Sequence, residues 1–336
     1  MRHTPAMLQV QDLSLTVPIQ GDHVTAVEEV SLTLKPGRVL GLVGESGCGK
    51  SITAQTILRL GEHQGVDRSG GDILLDDKSI FSMSESQIRK VRGGRIAMIF
   101  QEPMTALNPV FSIGSQIAEV INLHLNLDPK ATRERAIRLL EDVGMQDAES
   151  LLDQYPDALS GGMRQRVLIA MAMAGEPEYI IADEPTTALD VSVQKRIIQL
   201  LRALQQKKGL GMLLVTHDFG LVAELADDVA VMYAGQIVES GSVGEVFDHP
   251  AHPYTRALMA CRPEVSSPGA ALPVIAGQVP PPGKWPVGCH FAKRCPHADG
   301  ACEQRVALDA WQAGDHSARC VHVEQSLSTA EAEASV

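Results

Sequence analysis

The segment Gly44-Glu45-Ser46-Gly47-Cys48-Gly49-Lys50-Ser51 constrains this chain more than any other. It follows the apolar run Val39-Leu40-Gly41-Leu42-Val43 and opens a stretch, Ser51 to Leu60, that reads as a helix. A strand this uniformly apolar suits a parallel sheet covered on both faces. Strand, glycine turn and helix in that order are the context of a phosphate-binding loop. Glycines let backbone N–H groups turn inward around phosphate oxygens, and a helix N-terminus adds partial positive charge. The side chains then divide the work. Lys50 is placed to meet β- and γ-phosphates, and the Ser51 hydroxyl to ligate Mg²⁺. A plain glycine turn with an exposed lysine would leave the flanking strand and helix unexplained.

Further along, Tyr179-Ile180-Ile181-Ala182-Asp183-Glu184 is an apolar strand ending in two carboxylates. Adjacent acids at the end of a buried strand are costly unless a cation or a reaction uses them. Strand alternation puts them on different faces, with Asp183 on the Mg²⁺ side and Glu184 as base for an attacking water. Ser160-Gly161-Gly162 starts a helix and is a second anion site by the same physics. Taken alone it is an N-cap with a glycine turn. The remaining pattern predicts strands over Leu8–Val17, Val30–Leu34, Arg95–Phe100 and Gly211–Val215, and a hairpin around Ala234-Gly235. From Gln101 to about Tyr155 the period is helical, most clearly over Thr132–Val143.

At 336 residues the chain can bury a substantial core. Lys+Arg 29 against Asp+Glu 41 leaves a net charge of −12, which argues against a general nucleic-acid binder. No apolar run approaches the roughly 18–20 residues of a membrane span. Gln9, Gln11 and Asp12 interrupt any signal-peptide core. These features predict a cytosolic protein able to dock on a membrane protein. After Pro250 the composition changes: Pro263, Pro268, Pro273, Pro280, Pro281, Pro282 and Pro286 punctuate a linker-like stretch. Cys289, Cys295, Cys302 and Cys320 then crowd together, while Cys261 lies outside the group. Four thiolates suit Zn²⁺ or an iron–sulfur cluster, and unligated thiols are the third alternative. The lack of a C-x2-C pair speaks against an ordinary zinc ribbon, and His290, His297 and His322 are possible substitute ligands.

In this order the phosphate loop, Leu159-Ser160-Gly161-Gly162-Met163 and the strand ending in Asp183-Glu184 resemble the nucleotide-binding subunit of an ATP-binding-cassette (ABC) transporter. The resemblance covers about residues 7–250 and implies an α/β P-loop NTPase fold. Its parts are a RecA-like core, an antiparallel β portion and a helical subdomain inserted at about 102–175 of a 1–250 domain. It implies that Val24 and Ile52 join Gly44–Ser51 around the chain's own ATP, and that Gln101, Asp183 and Ser51 attend Mg²⁺. It gives Glu184, Gln101 and His217 catalytic roles, with His217 at the γ-phosphate. Ser160, Gly161, Gly162 and Asp190 are implied to face the nucleotide of a partner subunit. One departure stands out: the family supplies an aromatic ring for adenine roughly where Val24-Thr25-Ala26 lies, and no Phe, Tyr or Trp precedes Phe81. Aliphatic groups such as Val24 or Val27 are then expected to carry the base.

A narrower resemblance comes from Phe100-Gln101-Glu102-Pro103-Met104-Thr105-Ala106-Leu107-Asn108-Pro109, Met163-Arg164-Gln165-Arg166 and His252-Pro253-Tyr254-Thr255-Arg256-Ala257-Leu258. These are similar to the ATPases of dipeptide, oligopeptide and nickel importers. Gly288-Cys289 and Arg294-Cys295-Pro296 are similar to the carboxy-terminal extension of that group, placed here at 251–324 ahead of a disordered tail, 325–336. The resemblance implies a [4Fe-4S] cluster on Cys289, Cys295, Cys302 and Cys320, with Zn²⁺ as the alternative. It implies ATP-driven pairing with a homologous ATPase subunit beneath two membrane permeases, fed by a periplasmic or lipid-anchored binding protein, at the cytoplasmic face of a bacterial inner membrane. Peptide import is the expected role. A nickel or other solute importer, a non-transport ABC ATPase and a non-catalytic docking module remain open alternatives.

Overall fold

The computed structural model describes residues 7–101, 106–187, 189–261 and 274–323. Glu102 to Thr105, Ala188, Pro263, Pro268, Pro273 and the expected disordered tail lie outside the described residues. The chain forms two compact units: one gathers 8–33, 40–78 and the chain from 216 onward, the other 34–39 and 79–215.

In the first unit, β1 (Leu8–Ile19) and β2 (Asp22–Leu34) run well beyond the stretches their alternation marks. The excess lies toward Gln20-Gly21, where Pro18, Ile19, Asp22 and His23 are exposed and Ala26-Val27 are buried side by side, so the alternation that marks a strand is lost. β3 (Val39–Val43) is buried throughout and leads through the glycine loop into α1 (Lys50–Thr56). That helix stops short of Leu60 because Arg59 adopts φ +54° and the Leu60 N–H turns back to Gln55 O. β4 (Asp67–Leu75) pairs antiparallel with β1, Leu8 opposite Leu75, and its first half, Asp67 to Asp72, is polar and mostly exposed. With β5 (Lys78–Ser79) the order is β2-β1-β4-β5.

In the second unit, α2 (Glu85–Val91) begins with a capping box between Ser84 and Gln87, satisfying two otherwise orphaned N–H donors. β6 (Ile96–Ile99) follows, and the helical stretch resolves into α3 (Ile113–His124), α4 (Pro129–Asp142), α5 (Ala148–Leu151) and α6 (Gly161–Met173). α4 starts at a favourable N1 proline with Asp128 as its cap. β7 (Tyr179–Asp183), α7 (Val191–Lys208) and β8 (Gly211–Thr216) complete it, with β6, β7 and β8 neighbours in parallel.

The chain then returns to the first unit through α8 (Phe219–Leu225), β9 (Asp228–Tyr233) and β10 (Gln236–Ser242). β9 lies parallel to β3, and β10 folds back on β9 through Ala234 and Gly235, both at positive φ. α9 (Val243–Asp248) and α10 (Pro253–Ala260) follow, and β11 (Trp311–Ala313) and β12 (His316–Ala318) extend the order to β11-β12-β10-β9-β3. The described part of the extension therefore shares a sheet with the strand that feeds the phosphate loop. Buried Glu239 of β10 fastens it, accepting from the N–H groups of Ala251 and His252 and pairing with His316 Nε2 at 2.7 Å. Phe291 enters the same core, edge-on to Tyr233 at 5.2 Å. Among the described residues no helix is long and apolar enough to cross a membrane.

Candidate functional site

The phosphate loop is shaped by close approach to β9. A Cβ at Gly44 would collide with the Met232 carbonyl, and one at Gly49 would come within 2.7 Å of Met232 Cε. Gly44, Gly47 and Gly49 all take positive φ, which a side chain would strain. Lys50 is 5% exposed, and its Nζ donates to the carbonyls of Gly44 at 2.8 Å and Glu45 at 3.0 Å. The amine is thus held inside the loop on two oxygens that an incoming anion can replace. Ser51 and Ile52 open α1 half-buried, and Ser46 and Gly47 are exposed at the rim. Cys48 sits beneath the loop at 1% exposure, and burial pushes its thiol up despite the neighbouring Lys50. The thiolate that a helix N-terminus would favour is overridden by the missing water.

Glu45 is held by residues whose sequence motifs gave no hint of it. Its N–H donates to Tyr254 Oη at 2.9 Å. Its carboxylate takes a bidentate pair from Arg294, at 2.8 Å from Nη1 and 3.1 Å from Nη2. Arg294 also donates from Nε to Ala276 O and lies against the Tyr233 and Phe291 rings. Burial alone would lower the Arg294 pKa, but the hydrogen bonds to Glu45 and Tyr233 raise it. Sequence reasoning noted Arg294 only as the neighbour of Cys295.

In the other unit, Asp183 closes β7 at 2% exposure. Glu184 has already left the strand at φ +45°, so a sharp turn, not strand alternation, aims it differently from Asp183. Its Oε2 accepts from Gln101 Nε2 at 2.9 Å and from Thr187 Oγ1 at 2.8 Å. Gln101 and Glu184 are therefore brought together, with Thr187 as an unforeseen third member. Ser160 caps α6 through Met163 N. A Cβ at Gly162 would reach within 2.8 Å of Val193, so glycine there permits close packing on α7. Asp190 caps α7, and hydrogen bonds from Ser192 and from the Val193 N–H hold its carboxyl below the usual carboxylate range. His217 is exposed just after β8.

Val24 is half-buried, whereas Val27 is 0% exposed and belongs to the core, so Val27 is unavailable to a base. The four extension cysteines do come together: Cys289, Cys295, Cys302 and Cys320 line one cavity with His297 and His322. The backbone N–H groups of His297 and His322 each donate to a sulfur, Cys295 Sγ and Cys320 Sγ, at 3.4 Å. Burial, with the neighbouring thiols adding, pushes Cys289 and Cys320 up to about 11. His322 also approaches Asp299, at 2.9 Å, and with Cys302 these offer three ligand atoms within 4.8 Å of one another. His290 is not of this group; its Nδ1 lies 2.7 Å from Ala234 O and its ring packs on Trp285.

Residues 27–187 match the family described as "ABC transporter", and residues 238–302 match "Oligopeptide/dipeptide transporter, C-terminal region". The oligopeptide transport ATP-binding protein AppD of Bacillus subtilis (strain 168) is 46% identical over 296 residues, spanning 88% of this chain and 90% of AppD. A protein of Escherichia coli (strain K12) named "Probable D,D-dipeptide transport ATP-binding protein DdpD" is 46% identical over 317 residues, 94% of this chain and 96% of its own length. Among solved structures, the dimeric post-hydrolysis state of the ATP-binding cassette MJ0796 bound to ADP and Pi is 25% identical. It covers 70% of this chain and 98% of that one, with a TM-score of 0.62.

Proposed function

The chain belongs to the ABC transporter ATPase family, in the branch that carries the oligopeptide/dipeptide C-terminal region, and from this premise we propose how its residues power import. It is the ATP-hydrolysing subunit of a peptide importer. The observation that carries the reading is the loop around Lys50, a buried amine resting on the carbonyls of Gly44 and Glu45 and enclosed by glycines that tolerate no side chain. Such a cradle fits a triphosphate. On binding, Lys50 exchanges these carbonyls for phosphate oxygens, and the N–H groups of Gly47 to Ser51 complete the shell. Magnesium, when bound, neutralises charge on the triphosphate. Ser51 in its unit and Asp183 and Gln101 in theirs are the proposed magnesium-side groups.

Glu184 is the proposed base. Gln101 and Thr187 both donate to its Oε2, which fixes the orientation of the carboxylate that is to take a proton from water. His217 is the proposed γ-phosphate contact, and Ser160, Gly161, Gly162 and Asp190 the surface offered to the nucleotide of a homologous ATPase partner. That pairing, two permeases, a binding protein and a peripheral place at the cytoplasmic face of the membrane follow from the family. The division into an ATPase domain, 1–250, with its helical insertion, and an extension, 251–324, is proposed on the same ground.

The extension cysteines are proposed to hold a [4Fe-4S] cluster. One observation supports it: backbone N–H groups point at two of the sulfurs, the kind of hydrogen bond that tunes such a cluster. Asp299, Cys302 and His322 favour the second reading, a single zinc.

The test is Glu184→Gln in the assembled transporter. ATP binding persists while hydrolysis and peptide uptake fall by on the order of 10²–10⁴-fold, the usual effect of losing a positioned base. Turnover near the wild-type rate rejects Glu184 as the base.

A further inference from the structure

A cavity close to the phosphate loop is left unused by the nucleotide reading. It lies in the unit of the phosphate loop, about 510 Å³ in volume, with Val24, Thr25 and Glu28 of β2 on one side and Trp285, His290 and Arg305 of the extension among the residues on the other. Its size falls in the range of small-molecule sites. Trp285 is half-buried there and fixed at several points. Its Nε1 donates to Pro280 O at 3.1 Å. Its ring packs on that of His290 at 4.8 Å between centroids and 36° between planes. His290 is itself tied to Ala234 O. Pro281 and Pro282 lead into this segment and Pro286 follows the tryptophan, which limits the backbone freedom lost when a ligand settles. Val287 beside it is 92% exposed, an apolar surface with nothing over it.

The cavity adjoins the phosphate loop through a single residue. The N–H of Gly235 donates to Cys48 O, and the Gly235 carbonyl accepts from Glu28 N, each at 2.8 Å. A Cβ on Gly235 would overlap the Trp285 indole, so the tryptophan reaches its place only because that residue is glycine. Ala26 O lies within 3.2 Å of the Cβ positions of both Gly235 and Gly49. The indole is thus one backbone segment away from the loop, with Val24 on the opposing strand.

Resting on the ATP-binding reading of that loop, we propose that Trp285 is the platform for the nucleotide base. The triphosphate occupies the loop at Lys50, and the flat, uncharged purine needs a π-face and an apolar wall beside it. The strand wall offers Val24, Thr25 and Glu28 but no aromatic ring, so the ring comes from the extension, about 260 residues away along the chain by their numbers. Stacking is tolerant of base identity because every base has a π-face. Trp285 therefore raises the affinity for ATP and GTP alike and leaves that for a bare triphosphate unchanged.

The chain has two tryptophans, Trp285 and Trp311, so the full-length W311F variant reports on Trp285 alone. ATP and GTP are expected to quench its fluorescence. Inorganic tripolyphosphate is expected to displace a fluorescent ATP analogue without quenching. Trp285→Leu should weaken ATP roughly 5- to 150-fold, the equivalent of one stacked base, with tripolyphosphate unaffected. Trp285→Phe should recover most of the loss. An ATP affinity unchanged in Trp285→Leu, or ATP and tripolyphosphate weakened equally, overturns the platform while leaving the ATPase reading standing. Failure of the wild-type chain to bind ATP at all overturns both.

Discussion

Removal of the Arg294 guanidinium tests how the extension acts on the phosphate loop. Arg294 is 5% exposed at its side chain and Glu45 29%. Charge-assisted hydrogen bonds contribute about 1.5–3 kcal/mol each, and breaking a buried pair by deleting one partner costs about 3–5 kcal/mol. Water reaches Glu45 and recovers part of that, so about 2 kcal/mol is the expected loss in Arg294→Ala. The loss is aimed at function because of where Glu45 sits. With its counter-charge gone, the carboxylate faces an incoming triphosphate and repels it. If the whole 2 kcal/mol appears in binding, the Kd for ATP rises about 30-fold. Glu45→Ala removes the repelling group together with the clamp and should weaken ATP less. The double variant should bind better than Arg294→Ala alone. The assay is nucleotide binding to the full chain across this cycle of four proteins, with thermal unfolding alongside. Additive single effects, or an unfolding shift with ATP affinity unchanged, would show that the pair only braces the fold.

Two further outcomes follow from the cysteines. Cys48 is buried and its thiol raised, so at pH 8 it carries less thiolate than an exposed cysteine, and alkylation should reach Cys261 well before it; raising the pH should speed the reaction, and rapid labelling of Cys48 at pH 8 would refute the burial argument. Cys295→Ser should lose the metal of the extension: anaerobically purified wild-type protein is expected to carry about four irons per chain and the variant none, whereas one zinc in the wild type would replace the cluster with the zinc reading and no metal would leave free thiols.

Local pattern made much of this protein legible in its sequence. The run Val39–Val43, the glycines after it and the acids ending Tyr179–Asp183 carry their own signature, because a buried parallel strand and a phosphate turn each depend on residues a few positions apart. Ser160 is read as a cap for the same reason. β4 escaped because its polar first half shows no apolar period; its pairing with β1, some sixty residues earlier, makes it a strand. The four cysteines announced themselves by type, yet their meeting in one cavity, and the separation of His290 from them, needed the fold. The pairing of Glu45 with Arg294 across 249 residues, and the indole of Trp285 lodged over Gly235, lie beyond any reading of the string. A charge or an aromatic ring looks the same in sequence whatever it meets. Only when β10, β12 and the buried Glu239 fold the extension back toward the loop does each acquire its partner.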